Sequence, residues 1–212
     1  CDAMVCRSAR FAALILSMST ADAAKWDTRH RDAGAIASHL RLPPSAFVGH
    51  LAHLPQSGRA LELACGRGSE ALWLADRGLR YFGVDVSPVA IELARLSAEE
   101  AGLSDRCEFE VHDLDDGLPG GPEVDLLLCH RFRDERLDRE IIERIKPGGV
   151  LAISVLSEVG RGPGPFRARP GELREAFDTM EVLAEIEGDG IATLVARQPR
   201  RRPEPGRDAP DG

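Results

Sequence analysis

Short apolar runs alternate with segments of helical periodicity over most of the chain. In the helical segments apolar residues recur every three or four positions, and Gly78 and Gly102 follow two of them as C-terminal caps. Ser87 and Pro88 mark the start of the second such helix, as an N-cap and a first-turn proline. The alternation predicts a parallel, doubly wound sheet with helices on both faces. The predicted strands of this part are Arg59–Ala64, Tyr81–Val86, Cys107–Val111, Val124–Cys129 and Val150–Leu156.

Two further apolar runs, Glu181–Glu187 and Ile191–Arg197, flank Gly188-Asp189-Gly190, which is a tight hairpin signal. Such a hairpin adds an antiparallel strand at one edge of the sheet. The predicted fold class is therefore α/β: a three-layer, Rossmann-like, seven-stranded, mostly parallel sheet with an antiparallel terminal hairpin strand. Further helices are predicted from Pro43, over Asp134–Lys146 and from Glu172.

The 212 residues fit one domain, which we expect to cover residues 25–198. Residues 1–24 are predicted to be an extension that is disordered or stems from a mis-assigned start. In it Arg7 and Arg10 precede the apolar run Phe11–Leu16, which is shorter than that of a usual secretory signal peptide. The tail, residues 199–212, consists mainly of proline, arginine and acidic residues and is predicted to be disordered. No later run approaches the roughly 18 apolar residues of a membrane span.

Charge and cysteine content exclude several classes of protein. The net charge of −8 and the pI near 5.3 argue against a broad surface for nucleic-acid backbones, which needs a basic face. The five cysteines include no CxxC pair, so no metal site is predicted. Cys107 and Cys129 lie in apolar runs, where cysteine packs as a small hydrophobic residue. An odd number of cysteines suits a reducing compartment, and the expected location is cytoplasmic.

Candidate ligand-binding residues collect where the predicted strands end. In open parallel sheets the ligand lies beyond the carboxyl ends of the strands, beside the first strand. The loop Cys65-Gly66-Arg67-Gly68 lies there, and its glycines let the backbone approach a ligand. Asp85 ends the second strand, where a carboxylate can hold both hydroxyls of a ribose, and Asp113 follows the third, where it can accept an adenine amino group. Cys129-His130-Arg131-Phe132 ends the fourth strand and faces the reactive centre of the ligand.

Two nucleotide cofactors are compatible with this arrangement. The segment Gly66–Ala71 satisfies the GxGxxA fingerprint of dinucleotide-binding proteins, with Asp85 as its acidic residue. Glu62 argues against a dinucleotide, because its charge is placed near the position of the pyrophosphate. A carboxylate there is tolerable beside the cationic sulfonium and the amino group of S-adenosylmethionine. Asp113-Leu114 and the terminal hairpin favour the same cofactor, so S-adenosyl-L-methionine is expected.

At these residues the chain resembles the class I S-adenosylmethionine-dependent methyltransferases, and within them the small tellurite-resistance and thiopurine-like group. The resemblance covers Ala60–Arg197 and implies a methyltransferase that acts on a small molecule. Trp26-Asp27-Thr28-Arg29 resembles the family's N-terminal segment, which folds over the cofactor, so that Arg29 is expected to meet the methionine carboxylate. The matching motifs are Leu61-Glu62-Leu63-Ala64-Cys65-Gly66-Arg67-Gly68, Gly83-Val84-Asp85-Val86-Ser87, Val111-His112-Asp113-Leu114, Ile145-Lys146-Pro147-Gly148-Gly149, Pro165-Phe166 and Pro170-Gly171-Glu172-Leu173.

The predicted site therefore has a cofactor part and an acceptor part. In the first, Ala64 stands where the family has its first loop glycine. The predicted cofactor-binding residues are Arg29, Glu62, Ala64, Cys65, Gly66, Gly68, Asp85, Val86, Asp113, Leu114 and Cys129. The predicted substrate-binding residues are Trp26, Arg131 and Phe166, and His130 is the candidate general base.

The acceptor of the methyl group is left open by the sequence. A thiolate or a chalcogen oxyanion needs little or no base, whereas a hydroxyl or an amine needs one, for which His130 is placed best. Arg161, Arg167 and Arg169, after the fifth strand, either form a cap that favours an anionic acceptor or lie in a solvated loop. The expected partner is a small molecule, with no nucleic acid and no membrane. The alternatives are a non-catalytic cofactor-binding or interaction protein, a macromolecule methyltransferase and an NAD-binding protein.

Overall fold

A computed structural model of the chain describes residues 23–32, 41–164 and 167–200. Most of the predicted extension and tail therefore lies outside the described residues. Residues 23 and 24 of the extension, which begin a helix, and residues 199 and 200 of the tail are described. The strands are β1 (Gly58–Leu63), β2 (Leu79–Asp85), β3 (Cys107–Val111), β4 (Val124–His130), β5 (Ile145–Ser157), β6 (Arg167–Ala168), β7 (Glu181–Gly188) and β8 (Ile191–Arg197).

Seven strands form one mixed sheet in the order β3-β2-β1-β4-β5-β8-β7, and the two-residue β6 pairs with β5. β1 to β5 are parallel, which confirms the predicted doubly wound core. β8 is antiparallel to both β5 and β7. The antiparallel strand is therefore inserted one position inside the sheet, and the edge strand is β7. The terminal hairpin thus adds an antiparallel strand at this end of the sheet, which confirms the predicted fold class.

The turn between β7 and β8 shows why the hairpin could be read from the sequence. Its central residues, Asp189 and Gly190, have φ of 51° and 81°. Positive φ at both central residues is the signature of a type I′ turn, whose twist matches that of paired strands. Asp-Gly is among the residue pairs that adopt this conformation most readily.

Helices cover both faces of the sheet and give the three predicted layers. A 3-10 helix, Ser45–His53, packs with α2 and α3 on one face, while α4 and α5 cover the other. The side chains of β4 alternate between the two cores, with Leu126 and Leu128 in the first and Leu127 and Cys129 in the second. The helices are α1 (residues 23–32), α2 (Ala71–Asp76), α3 (Pro88–Glu100), α4 (Asp138–Arg144) and α5 (Glu172–Ala176).

The helix predicted over Asp134–Lys146 is shorter than expected. It consists of a 3-10 turn, Glu135–Leu137, followed by α4, which ends at Arg144. Ile145 already pairs with Val124 of β4 and is 1% exposed, because burying its side chain in the sheet outweighs one more helical residue. The Pro-Gly-Gly segment thus lies within β5, where the pairing with β4 shifts register, rather than at the helix end.

The start of α3 follows the prediction closely. The Ser87 hydroxyl accepts a hydrogen bond from the backbone N–H of Ala90 at 3.1 Å, and Pro88 occupies the first turn. Within the described ranges, no helix combines the length and apolar character that crossing a bilayer requires.

Candidate active site

The loop between β1 and α2 turns sharply at the carboxyl end of the sheet. Ala64, Gly66 and Gly68 have φ of 52°, 54° and 68°, in the left-handed region. The N–H of Cys65 donates to Val84 of β2 at 2.9 Å, and that of Gly68 donates back to the Cys65 carbonyl at 3.0 Å. These bonds fix the loop against β2 before any ligand binds.

Ala64 occupies a conformation that favours glycine, because an L side chain in the left-handed region costs about 1–2 kcal/mol. We expect Ala64→Gly to raise the free energy of unfolding by about 0.5 kcal/mol, since relief of strain exceeds the added entropy of the unfolded chain. Urea denaturation followed by circular dichroism measures the change. The matched control is Ala75→Gly in α2, where φ is helical and the same substitution lowers stability. Equal losses in both variants would contradict the account of Ala64.

Asp85, at the end of β2, joins this loop to the start of α3. It is 7% exposed; one carboxylate oxygen accepts from the N–H of Gly66 at 2.8 Å and the other from the N–H of Ser87 at 2.9 Å. Burial raises the pKa of Asp85, an effect that its two backbone hydrogen bonds oppose. Each oxygen retains a second lone pair, so a ribose diol can still bind where the sequence predicts it.

α1 lies across the start of α3 and across the loop between β1 and α2, residues 64–68, which is called the cofactor loop below. Its Asp27 accepts hydrogen bonds from the Ser87 hydroxyl at 2.5 Å and from the N–H of Val89 at 3.4 Å. The ring of His30 lies over Gly66, where an added Cβ would be 3.3 Å from its Cε1 atom. Burial lowers the pKa of His30, although the charge of nearby Asp85 opposes this. α1 therefore covers the region where the predicted ribose would bind.

The two α1 residues singled out from the sequence face each other. The guanidinium of Arg29 lies 5.1 Å from the ring centroid of Trp26, and Trp26 also stacks on His30 at 6.0 Å. Trp26 is 39% exposed. That Arg29 binds the methionine carboxylate and Trp26 the acceptor stays a prediction.

Glu62 lies deeper than the sequence suggested. It is 2% exposed, and its carboxylate accepts a hydrogen bond from the hydroxyl of Tyr81 at 2.5 Å. Burial, and then the charge of Glu70, raise the pKa of Glu62 well above its usual value. Because its carboxyl group is buried against Tyr81, the argument that a charge on Glu62 repels a pyrophosphate is not supported by this geometry.

A different observation argues against a dinucleotide. The backbone N–H groups of Cys65, Gly66 and Gly68 all donate to protein acceptors. A pyrophosphate needs such N–H groups free to cradle its oxygens. An adenosine with a cationic sulfonium needs a carboxylate for its ribose and no phosphate cradle. These three N–H groups are thus not available to a pyrophosphate, and with Asp85 placed for a ribose the residues present fit S-adenosylmethionine.

His130, at the end of β4, is held from two sides. Its Nδ1 atom lies 3.4 Å from Oε1 of Glu70, and Phe47 of the 3-10 helix meets the imidazole edge-on, with ring centroids 6.4 Å apart. Glu70 precedes α2, is 7% exposed and also accepts from the hydroxyl of Ser69. Burial tends to raise the pKa of Glu70, but the hydrogen bonds from His130 and Ser69 outweigh it and lower the pKa. An ionised, buried carboxylate thus contacts the candidate base.

The remaining predicted cofactor residues lie at the same edge of the sheet and are buried or half-buried. Asp113 accepts from the N–H of Asp115 at 3.0 Å, Leu114 is 8% exposed, and Val86 is half-buried just after β2. Their contacts with a cofactor stay predictions. The thiols of Cys65 and Cys129 are buried as well, which raises the pKa of the Cys129 thiol to about 12 and that of Cys65 well above its usual value.

On the acceptor side, Arg131 is exposed and has φ of 62°, while its N–H donates to the Ser154 carbonyl at 2.7 Å. Phe166 lies outside the described residues. Arg167 donates to the Ser157 carbonyl at 2.9 Å, and Arg169 lies 3.4 Å from Glu172. Both guanidiniums therefore have partners within the protein, which argues against a cap whose arginines are free to bind an anion.

Four side chains of the site were missed by sequence reasoning: Asp27, His30, Glu70 and Tyr81. Glu70 sits inside the Gly-rich fingerprint, and an acidic residue directly before a helix was the one available signal. Nothing in the sequence places Glu70 against His130, which is 60 residues away. The partners of Asp27 and Tyr81 likewise depend on the folded topology.

Comparisons with known proteins agree with this site. Residues 60–149 match the family model described as a methyltransferase domain. The chain is 37% identical over 131 residues to a protein from Talaromyces variabilis named S-adenosyl-L-methionine-dependent Diels-Alderase iccD, covering 58% of this chain and 44% of that one. It is 33% identical over 139 residues to a 2-heptyl-1-hydroxyquinolin-4(1H)-one methyltransferase from Mycobacteroides abscessus, covering 61% of each.

The fold is also found among solved structures. TehB from Haemophilus influenzae superposes with a TM-score of 0.59 at 20% identity, covering 67% of this chain and 58% of that one, which shows a shared fold. The chain spans about half the length of the curated relatives named above. S-adenosylmethionine is the cofactor of this family. The sheet order and the loop after β1 agree with the match of residues 60–149 to a methyltransferase domain.

Proposed function

We propose that this protein transfers the methyl group of S-adenosylmethionine to a small molecule whose acceptor atom carries a proton, such as a ring hydroxyl or N-hydroxyl group. The observation that carries the proposal is the position of His130. Its imidazole stands at the carboxyl end of β4 and contacts an ionised, buried carboxylate. A thiolate or an oxyanion acceptor would need no such base.

The bound cofactor supplies an activated methyl group on a sulfonium. The chain's own residues then have to bind the cofactor, orient the acceptor and shield both from water. Asp85 is placed to hold the ribose, and α1 covers the cofactor loop through Asp27 and His30 and so limits the access of water. Alignment of the acceptor at about 3–3.5 Å from the methyl carbon is the main source of rate in such a transfer.

The hydroxyquinolinone methyltransferase of M. abscessus supports a hydroxylated ring as the acceptor, because that relative is named for one. A second candidate function is cyclisation with the cofactor bound but not consumed. It is favoured by the relative from T. variabilis, which is named as a Diels-Alderase. The two functions differ in a measurable way, since methyl transfer consumes the cofactor and a cyclisation does not.

The test is incubation of the full chain with S-adenosylmethionine and single acceptors: 1-hydroxyquinolin-4(1H)-one, a simple phenol, thiophenol and selenite. Mass spectrometry of the acceptor and quantification of S-adenosylhomocysteine are the two readouts. We expect methylated product from the hydroxylated rings, with an equal amount of S-adenosylhomocysteine. Cofactor binding by calorimetry without S-adenosylhomocysteine from any acceptor would overturn the proposal and favour a cyclase or a non-catalytic protein.

A further inference from the structure

Four buried or half-buried polar side chains lie between the core and the end of β4, on the face covered by the 3-10 helix. The hydroxyl of Tyr81 donates a hydrogen bond to Glu62, and Glu70 contacts His130. Glu62 and Glu70 interact electrostatically, since the charge of Glu70 raises the pKa of Glu62. The exposed fractions fall from 19% for the His130 side chain to 2% for Glu62 and Tyr81. The imidazole of His130 is the most exposed of the four groups.

The charge in this group of side chains is concentrated next to the imidazole. Burial and the charge of Glu70 raise the pKa of Glu62. The pKa of Glu70 is lowered because His130 and Ser69 donate hydrogen bonds to it, although burial opposes this. Glu70, which is 7% exposed, lies 3.4 Å from Nδ1 of His130 and so places a carboxylate with little solvent around it against the ring.

We propose that Glu70 positions His130 for proton abstraction from the acceptor, by holding Nδ1–H and leaving the lone pair of Nε2 toward the cleft. The inference rests on the proposed function, since it assigns the base of that reaction its partner. Within the described part of the chain, Nε2 of His130 has no hydrogen-bond partner. Phe47 fixes the plane of the ring from the other side.

The chemistry follows from this geometry. As the acceptor oxygen bonds to the methyl carbon, the carbon–sulfur electron pair stays on sulfur, which leaves as S-adenosylhomocysteine. The acceptor's proton passes to Nε2, and the imidazolium formed is stabilised by Glu70. The 3.4 Å contact is expected to shorten once the ring is charged, because charge-assisted hydrogen bonds are shorter. The imidazolium later gives its proton to solvent.

The first test is kinetic and uses the isosteric Glu70→Gln variant. We expect kcat for a hydroxylated acceptor to fall about tenfold with little change in KM, and kcat for thiophenol, which ionises without help, to stay within about twofold. The difference in kcat between the wild type and Glu70→Gln for the hydroxylated acceptor should disappear as the pH rises above the acceptor's own pKa. Glu100→Gln, an exposed carboxylate at the end of α3, is the matched control and should change neither rate.

The second test needs no turnover. Long-range proton–nitrogen NMR spectra of the wild-type protein report which nitrogen of His130 carries the proton, with the signal assigned by its loss in His130→Gln. We expect the Nδ1-protonated tautomer in the wild type. A rapid exchange between tautomers, or an Nε2-protonated ring, would overturn the positioning role even if the protein methylates its substrate.

The two proposals can fail separately. Equal losses of kcat on hydroxylated and thiol acceptors in Glu70→Gln would show that Glu70 serves only the structure of the site. If no acceptor is methylated but the Nδ1 tautomer is found, the proposed function fails while the coupling between Glu70 and His130 stands. Circular dichroism and calorimetry with S-adenosylhomocysteine establish that each variant is folded and binds the cofactor.

Discussion

Replacing Asp85 by alanine is expected to weaken the binding of S-adenosylmethionine about 100-fold or more, because two kinds of contact are lost together. The ribose loses a charged acceptor. In addition, the N–H groups of Gly66 and Ser87, which both donate to this carboxylate, are left without their partner. The cofactor loop and the start of α3 then separate. Isothermal titration calorimetry with S-adenosylmethionine measures the loss.

Asp85→Asn is expected to have a smaller effect on cofactor affinity than Asp85→Ala, because asparagine keeps the size of the side chain and one acceptor oxygen. It should weaken binding about tenfold, less than alanine does. Asp105→Ala, an exposed residue before the amino end of β3, is the control and should bind normally. An unchanged dissociation constant for folded Asp85→Ala would show that the ribose lies elsewhere.

The second large effect is expected at Gly68, where alanine meets both strain and a clash. The φ of Gly68 is 68°, and a Cβ would lie 2.9 Å from Cε1 of Phe109 and 3.2 Å from Cβ of Ala94. The second glycine of the loop is thus required by its packing against α3 and β3. We expect Gly68→Ala to lower the free energy of unfolding by about 2–4 kcal/mol, from urea denaturation.

Gly102 provides a matched control for this substitution. Its φ is 69°, almost the same as that of Gly68, but nothing lies within 4 Å of an added Cβ. Gly102→Ala therefore carries the backbone strain alone and should cost about 1 kcal/mol. If both variants lose the same free energy, Phe109 and Ala94 give way easily and the packing argument is wrong.

The order of strands and helices could be predicted because its signals are local. Ser87 and Pro88 mark the start of α3, and Asp189-Gly190 favours the tight turn between β7 and β8. Asp85 could be placed beside the loop after β1 for a related reason. In a parallel sheet the end of each strand reaches the same edge, so the strand's last residue is enough to place it.

Features that depend on contacts between distant segments could not be predicted. The burial of Glu62 depends on its hydrogen bond with Tyr81 of β2, whereas the sequence suggested that its carboxylate lies near the ligand. The early end of α4 reflects the pairing of Ile145 with β4. Glu70 came into the site only when the fold brought it to His130. Each depends on which side chains the topology brings together, and periodicity carries no information about that.

The two outer strands of the sheet, β3 and β7, bear on how the protein behaves in concentrated solution. Among the described residues, each pairs with a neighbouring strand on one side only, and an unpaired row of backbone groups allows another molecule to add a strand. Glu108 and Glu110 are exposed on β3, and Glu181 and Glu185 on β7. Pairing of two β3 edges would bring the like charges of Glu108 and Glu110 together, which opposes that contact, whereas Glu181 and Glu185 on β7 form ion pairs with Arg197 and Arg174. Near the pI of about 5.3 the net charge that keeps molecules apart vanishes, so storage there favours aggregation.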